Sequence, residues 1–591
     1  MAIINEQHTL TIKWQDYFVF ISMLLVSAII GIYFMIKDRR KQKSKSLENY
    51  LLAGREITSP FPPAMSLTAS FMSAITVLGT PVEFYIYGVM YAWCMLGFLL
   101  VGILAAHFFL PVIFDLKLST SYEYLKIRFG SKNLELAASV VYLITTVLYC
   151  GIVIYAPALA LEQLTGMNVW LAAGMTALLC IFYTSLGGLK AVLWTDVFQC
   201  GTIMAGFIAI IVVGCIDFGG LSEIFEIYEN GGRNVLDFSL DPRIRHSFFS
   251  IILGCVFGLW GGIYCTNQSE VQRYLSCKNL KTAQLAIYIN VVGLSIIMVL
   301  TMLTGMVAYA YFQECDPYKI GWIEKTDQTI PYLAVKILKN WPGLTGIYVA
   351  GVYAGSLSTI SSGINSAATV IVTSFISPYV GTKKSWISDN LTFVSKSLVI
   401  LTGLLMLLLA FLASKLGPVL TAALSALGVF SGPILGLFLL GMTCHFADYV
   451  AGWIGFISGN ILAIWIWFGS MFYKADPHEI KKLELRIDGC NSSILPHNSS
   501  DFHFGIFEDF SKTDESDHGF VEIYHVSYFY LGVIGSFGCY FIGFLTASIR
   551  SFIGVKCKRP LENTLHGLFR NKRLERGQKM REGLDNVGFE D

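Results

Sequence analysis

The chain has 591 residues, 54% of them apolar and 14% charged, with 42 Lys and Arg against 41 Asp and Glu. This composition excludes an ordinary water-soluble domain and points to a polytopic membrane protein, and the near balance of charge excludes a partner chosen by net charge alone. Thirteen cysteines in so long a chain make no disulfide scaffold, and most stand in apolar runs, where a thiol behaves as a small hydrophobe.

The first apolar run, Tyr17–Ile36, is long enough to span a bilayer and is followed by the basic stop KDRRKQKSK, so it reads as a membrane helix rather than a cleaved signal peptide. Further runs of spanning length follow near 62–88, 91–114, 135–162, 169–187, 193–216, 247–271, 284–311, 347–376, 392–412, 418–441, 448–470 and 526–547. The expectation is an all-α polytopic membrane protein of about thirteen helices. An odd number puts the termini on opposite sides. The basic loop Lys37–Arg55 and the basic tail from Arg550 then place the N-terminus outside and the C-terminus inside. The loops at about 217–246, 312–345 and 471–525 fall outside. Two sequons, Asn491-Ser492-Ser493 and Asn498-Ser499-Ser500, lie in the last of them and are expected glycosylation sites. Cys315 and Cys490 fall in polar outer loops and could pair. The basic tail could touch anionic lipid or a cytoplasmic partner.

Three spans are unusual. Phe61–Gly88 begins with Pro62-Pro63, carries Ser66, Thr68, Ser70, Ser73, Thr76 and Thr80, and then reads Gly79-Thr80-Pro81. Ser247–Gln272 carries Gly254, Gly258, Gly261 and Gly262 and runs into CTNQSEVQR. Interrupted apolar helices in corresponding positions of two halves are a pointer to a transport site, and their interval of about 185 residues fits a five-plus-five inverted repeat. The third, Val352–Ser374, has Ser358, Ser362, Asn365, Thr369 and Thr373 at three- and four-residue spacing, widened by Thr359 and Ser366. That spacing stacks them on one helical face, which is costly in hydrocarbon unless it faces protein, water or an ion.

Sodium is a small hard cation suited to hydroxyls and to carbonyls, and carbonyls are free only where a helix unwinds. A broken helix around 66–80 opposite a hydroxyl-rich helix around 355–369 offers both. The chain has no phosphate-binding Walker loop, no HExxH or CxxC arrangement and no GxSxG elbow, so ATP drive, metal catalysis and acyl-transfer chemistry are not expected. Glu83 and Glu162 stand near predicted outer helix ends, and Asp196 near an inner one, where it could pair with Lys190. No Lys or Arg lies deep in the central helices. An anionic substrate would therefore be met by hydroxyls, helix N-termini or the bound cation.

The segments SLENYLLAGR, SYEYLKIRFG, TTVLYCGIVIYAPALAL, YTSLGGLKAVLWTDVFQ, NQSEVQRYLSCKN and AGSLSTISSGINSAATV occur in an order that resembles the sodium/solute symporter family over about residues 15–547. Within it, MSLTASFMSAITVLGTPVE resembles the monocarboxylate, multivitamin and iodide branch, and most of all its sodium-coupled monocarboxylate transporters. The resemblance implies a LeuT-type five-plus-five core at about 62–441. Before it come an outer N-terminus, a first helix and a basic inner loop (1–61). After it come two further helices with a glycosylatable loop 471–525 (442–547), and a basic tail (548–591). It implies a sodium site from the carbonyls of Ala69, Met72 and Gly355 and the hydroxyls of Ser358 and Thr359, with Asp196 along the inner sodium route. It implies a substrate cavity at Phe71, Thr76, Phe98, Tyr149, Trp260 and Phe430. Family iodide carriers have Gln where this chain has Thr76 and Phe98, and sugar carriers have Asn where it has Phe71. Val82 and VTSFISPY depart from the branch's usual pattern.

The expectation drawn from these residues is a plasma-membrane symporter, not an enzyme. It would move sodium with a small organic anion such as lactate, pyruvate, butyrate or nicotinate, with sodium as co-transported ion and no other cofactor. The alternatives are a sodium-dependent biotin or pantothenate carrier and a sodium-gated sensor or channel without coupled transport.

Overall fold

The computed structural model describes residues 13–40, 47–165, 167–380, 390–413, 419–473, 482–490 and 522–555. The sequons at Asn491 and Asn498 and the basic tail from Lys556 lie outside these residues. Among the described residues there is no β-strand; a single bridge joins Ile57 and Cys277.

The long helices, in chain order, are α1 (Trp14–Arg40), α2 (Phe61–Phe71), α3 (Ala74–Tyr87), α4 (Val89–Asp115), α5 (Lys132–Thr165), α6 (Val169–Phe218), α7 (Phe248–Phe257), α8 (Leu259–Thr266), α9 (Gln268–Leu275), α10 (Leu280–Phe312), α11 (Leu344–Val370), α12 (Leu391–Ala413), α13 (Val419–Thr443), α14 (Tyr449–Phe472) and α15 (Tyr528–Phe552). Among the described residues, eleven stretches are long and apolar enough to cross a membrane, and α2 with α3 makes a twelfth as a pair bent by 64°. The 50 residues of α6 would reach about 75 Å if straight, against a hydrocarbon core of about 30 Å. They turn at Gly188, whose φ of 56° and ψ of −157° only glycine adopts without strain, and where a Cβ would lie 2.7 Å from the Tyr50 carbonyl. Counted as two spans, α6 brings the total to thirteen.

The breaks arise where the sequence supplies them. Pro62 and Pro63 occupy the first turn of α2, where their missing N–H groups are not needed. The chain leaves the helix at Met72 (φ −88°, ψ 69°), and Ser73 restarts it as the N-cap of α3, accepting the Thr76 N–H. The second break falls at Gly258 (φ −114°, ψ −121°), between α7 and α8. A third falls at Asn267, whose side chain caps α9. Residues Tyr348–Val370 of α11 are buried throughout, because α6 covers one side and α5, α2 and α3 the other. The hydroxyl stripe therefore faces protein rather than lipid.

On the side carrying loops 219–247 and 313–343, Cys315 and Cys490 form a disulfide with Cα atoms 5.0 Å apart. Backbone bonds from Asp316 to Arg486 and from Gly489 to Glu314 lay residues 482–490 along the start of the second loop. Arg233 caps the last turn of α3 through the Tyr85 and Ile86 carbonyls, where the helix dipole favours a cation.

Candidate functional site

Where α2 stops at Phe71, its last carbonyls lose the donors that a continuing helix would supply. The hydroxyl face of α11 meets them there. Thr359 Oγ1 lies 3.1 Å from the Ser70 carbonyl and 3.0 Å from that of Gly355. Gly355 packs so closely on the break that a Cβ would lie 2.7 Å from the Met72 carbonyl and 3.0 Å from the Ala74 nitrogen. Ser358 is fully buried, its hydroxyl turned toward the Asp196 carboxylate. Ala69 is buried on the same final turn. Of the groups singled out from sequence, Thr359 and Gly355 thus meet the break of α2 at Ser70, Met72 and Ala74.

The other hydroxyls of α11 have different duties. Ser361 and Ser362 donate to the Ser358 carbonyl, Ser366 to that of Gly363, Thr369 to that of Asn365 and Thr373 to that of Thr369. These are the back-bonds by which Ser and Thr are carried in an apolar helix. Ser366 also accepts from Tyr142 at 2.6 Å.

Asp196 is fully buried on the second half of α6. Its Oδ2 accepts from Ser66 at 2.5 Å and from Arg273 Nη2 at 3.2 Å, and the Ser358 hydroxyl also stands at the carboxylate. The hydrogen-bonded cation beside it is therefore Arg273, not the expected Lys190. Six residues separate Lys190 from Asp196, which points the two side chains to different faces of one helix. Arg273 also donates to Ser66 at 2.7 Å, to the Ser269 carbonyl at 2.6 Å and to Ser362, and stands 3.4 Å from Glu270. One buried guanidinium thus ties α2, α6, α9 and α11 together. The expectation of no Lys or Arg deep among the central helices fails at Arg273, and Glu270 was passed over, although both stand in the quoted NQSEVQRYL.

Beside the break lies a cavity lined by Ser70, Phe71, Thr76, Thr146, Tyr149, Cys150, Trp260, Ile263, Asn267, Ser269, Glu270, Thr359, Gly363, Leu424 and Leu427. Phe71, Thr76, Tyr149 and Trp260 are among the residues expected there. Phe98, also expected there, is not on the lining: it sits fully buried against Trp260, edge-on at 5.1 Å. Phe430 stands off the lining as well, its ring 6.2 Å from Trp467 of α14. The Tyr149 hydroxyl donates to Ser73 at 2.9 Å, and Ser73 lies 3.3 Å from Thr76 Oγ1. The Trp260 indole N–H is buried without an acceptor. Glu270 lines the cavity too, its carboxylate held by Ser70 and Ser269 at 3.2 and 2.7 Å.

On the side of loop 219–247, Glu83 of α3 takes Arg245 in a two-pronged pair at 2.6 and 3.0 Å. His246 lies buried beside it, 3.4 Å from Glu83 and 3.3 Å from Tyr528. Burial and the neighbouring Arg245 charge hold its imidazole well below the usual range, so the ring is neutral.

Residues 50–459 match the model of the Sodium:solute symporter family. A sodium-coupled monocarboxylate transporter 1 of Mus musculus is 41% identical over 537 residues, covering 90% of this chain and 86% of its own length. A sodium/iodide cotransporter of Homo sapiens is 37% identical over 537 residues, covering 88% of this chain and 81% of its own. Among solved structures, a Na+-coupled sialic acid symporter in a substrate-bound outward-open state superposes with a TM-score of 0.71 at 22% identity. It covers 91% of this chain and 98% of its own. The fold is the LeuT type, as the paired broken helices α2–α3 and α7–α8 indicate.

Proposed function

The chain belongs to the sodium:solute symporter family, and we propose that it couples sodium entry to uptake of a short monocarboxylate at the plasma membrane. It is a sodium-coupled solute symporter and not an enzyme; the choice of solute is our reading. The observation that carries it is the meeting of Thr359 with the Ser70 carbonyl at the break of α2.

A single break presents two chemistries. The carbonyl end of α2 suits a cation, and the N–H end of α3 suits an anion. Sodium as substrate would take the carbonyls of Ala69, Met72 and Gly355 and the hydroxyls of Ser358 and Thr359. A carboxylate in the adjoining cavity would take the free Trp260 N–H and the hydroxyls of Thr76 and Tyr149, with the ion as counter-charge. The apolar walls at Phe71, Ile263, Leu424 and Leu427 suit a short carbon chain. Asp196, buried beside the Ser358 hydroxyl, would pass the ion toward the opposite side.

Sodium binding first would hold α11 against the break, and the substrate would follow. Closure over both then shifts the protein to its inward-facing state, because both ligands bind that closed arrangement better. Each net charge crossing the field contributes about 2.3 kcal/mol per 100 mV. For orientation, the basic loop Lys37–Arg55 supports an extracellular N-terminus and a cytoplasmic C-terminus. The Cys315–Cys490 disulfide, on the side so assigned outside, agrees with an oxidising compartment.

Uptake in expressing oocytes, with current and label recorded together, tests the reading. Labelled lactate, butyrate and nicotinate should accumulate in sodium and not in choline medium. Accumulation of biotin alone would give the multivitamin alternative. Movement of iodide alone would overturn both. Current without accumulation would make the protein a sodium-gated sensor or channel.

A further inference from the structure

The loop between the Leu221–Asn230 helix and α7 carries an edge that a water-exposed loop should not have. Residues 234–240 form neither helix nor strand, and their exposure alternates strictly. Asp237 points inward at 7% exposure, whereas Leu236, Phe238 and Leu240 point outward at 61%, 55% and 72%. The three exposed side chains, each flanked by more buried neighbours, form one apolar edge. Large apolar side chains grouped on one exposed edge mark a contact surface rather than chance exposure.

The level of this edge relative to the bilayer is fixed by its neighbours. The Phe238 ring lies 5.4 Å from Phe248 and 6.2 Å from Trp93, and those two rings meet edge-on at 4.9 Å. Phe248 is the first residue of the α7 span and Trp93 lies in the first turns of the α4 span. Further along α4, Leu99, Leu100 and Ile103 are exposed and face outward as a lipid-facing helix surface does. The edge therefore continues the lipid-facing surface at the height where aromatic side chains gather in membrane proteins. The loop is also anchored from within: the Asp237 carbonyl accepts the Phe248 N–H at 2.9 Å, and the Asp237 N–H reaches Met90 Sδ at 3.0 Å.

We propose that residues 236–240 are a membrane-interfacial foot, seated in the boundary between headgroups and acyl chains of the leaflet on this side. The partner is lipid, because the edge is continuous with lipid-facing α4. The foot holds the loop whose Arg233 and Arg245 grip the end of α3, so lipid contact steadies the end of the broken helix.

A nitroxide on Leu240→Cys, with the full chain in phosphatidylcholine nanodiscs, tests this by collision with oxygen and with an aqueous nickel chelate. Wild-type protein treated alike supplies the background. The expected oxygen-to-nickel ratio at 240 lies below that of a nitroxide on Leu100→Cys, which is deeper in the span, and several-fold above that on Asn230→Cys. A ratio equal to that at 230 would overturn the proposal by placing the edge in water. Exclusion of both reagents would overturn it in favour of a protein partner or a second copy. Position 240 is 72% exposed, so the label does not threaten folding.

Discussion

Thr359 Oγ1 stands 3.1 Å from the Ser70 carbonyl, joining α11 to a helix 289 residues away at the point where that helix ends. One proton on Thr359 serves two carbonyls, its own helix's Gly355 at 3.0 Å and that of Ser70.

Removing that hydroxyl should weaken sodium. Thr359→Ala is expected to raise the sodium concentration for half-maximal uptake on the order of tenfold, because a ligand worth about 1.4 kcal/mol is a factor of ten. Thr359→Ser should retain most of the affinity. Surface biotinylation should show all three proteins at similar levels. Unchanged sodium dependence in the alanine variant would remove Thr359 from the site.

Gly355→Ala tests the closeness of the two helices. Its Cβ would press on backbone atoms of Met72 and Ala74 at 2.7 and 3.0 Å, which cannot rotate away as a side chain could. Uptake should be abolished, while Gly201→Ala, which meets nothing within 4 Å, should transport normally. Normal uptake by Gly355→Ala would show that the break does not rest on α11.

Trp260→Phe keeps a ring against Phe71 and Phe98, at 5.4 and 5.1 Å, and deletes the unpartnered N–H. If that group receives the substrate carboxylate, KM for the monocarboxylate should rise about tenfold, since a hydrogen bond to a charged group is worth about 1.5–3 kcal/mol. The sodium concentration for half-maximal uptake should move far less. Measuring both on one preparation separates substrate contact from a general packing defect.

The Asp196–Arg273 pair predicts a stability pattern. Arg273→Gln leaves the Asp196 charge buried without its cation, a loss of about 3–5 kcal/mol. Thermal unfolding of the detergent-solubilised protein should fall sharply. Asp196→Asn should cost less, because Arg273 keeps Glu270 at 3.4 Å. The double variant Asp196→Asn/Arg273→Gln should be more stable than Arg273→Gln alone. A double variant no better than the single one would show that the pair is not the source of the loss.

His246 predicts a pH dependence. Its folded-state pKa is lowered by burial and by Arg245, while the unfolded side chain titrates near 6.5. The unfolded chain therefore binds the extra proton first as pH falls. The stability that neutral His246 contributes is complete above about 6.5 and is lost progressively below it, toward the lowered folded value. The melting temperature should fall between pH 7 and pH 5, and His246→Gln should flatten that part of the profile. An equally steep profile in His246→Gln would place the titration elsewhere.

Much of the architecture is written locally. Spans follow from runs of about twenty apolar residues, and the breaks from Pro62-Pro63, Ser73 and Gly258, because these act through their own turn of chain. The stripe on α11 is likewise local, since residues three and four apart share a face in any helix. What that face meets is not local. Ser70 lies 289 residues from Thr359, and Arg273 lies 77 from Asp196, so neither pairing follows from the spacing of any one segment. Packing alone put Arg273 beside Asp196 in place of Lys190, turned Glu270 into the cavity wall, and set Phe98 behind Trp260 and Phe430 against Trp467. It also joined Cys315 to Cys490 across 175 residues, a pairing that the sequence left open. The sequence by itself determined where helices form and where they break; the tertiary structure decided which oxygens, charges and rings face one another, because that depends on how helices distant in the chain bury their surfaces against each other.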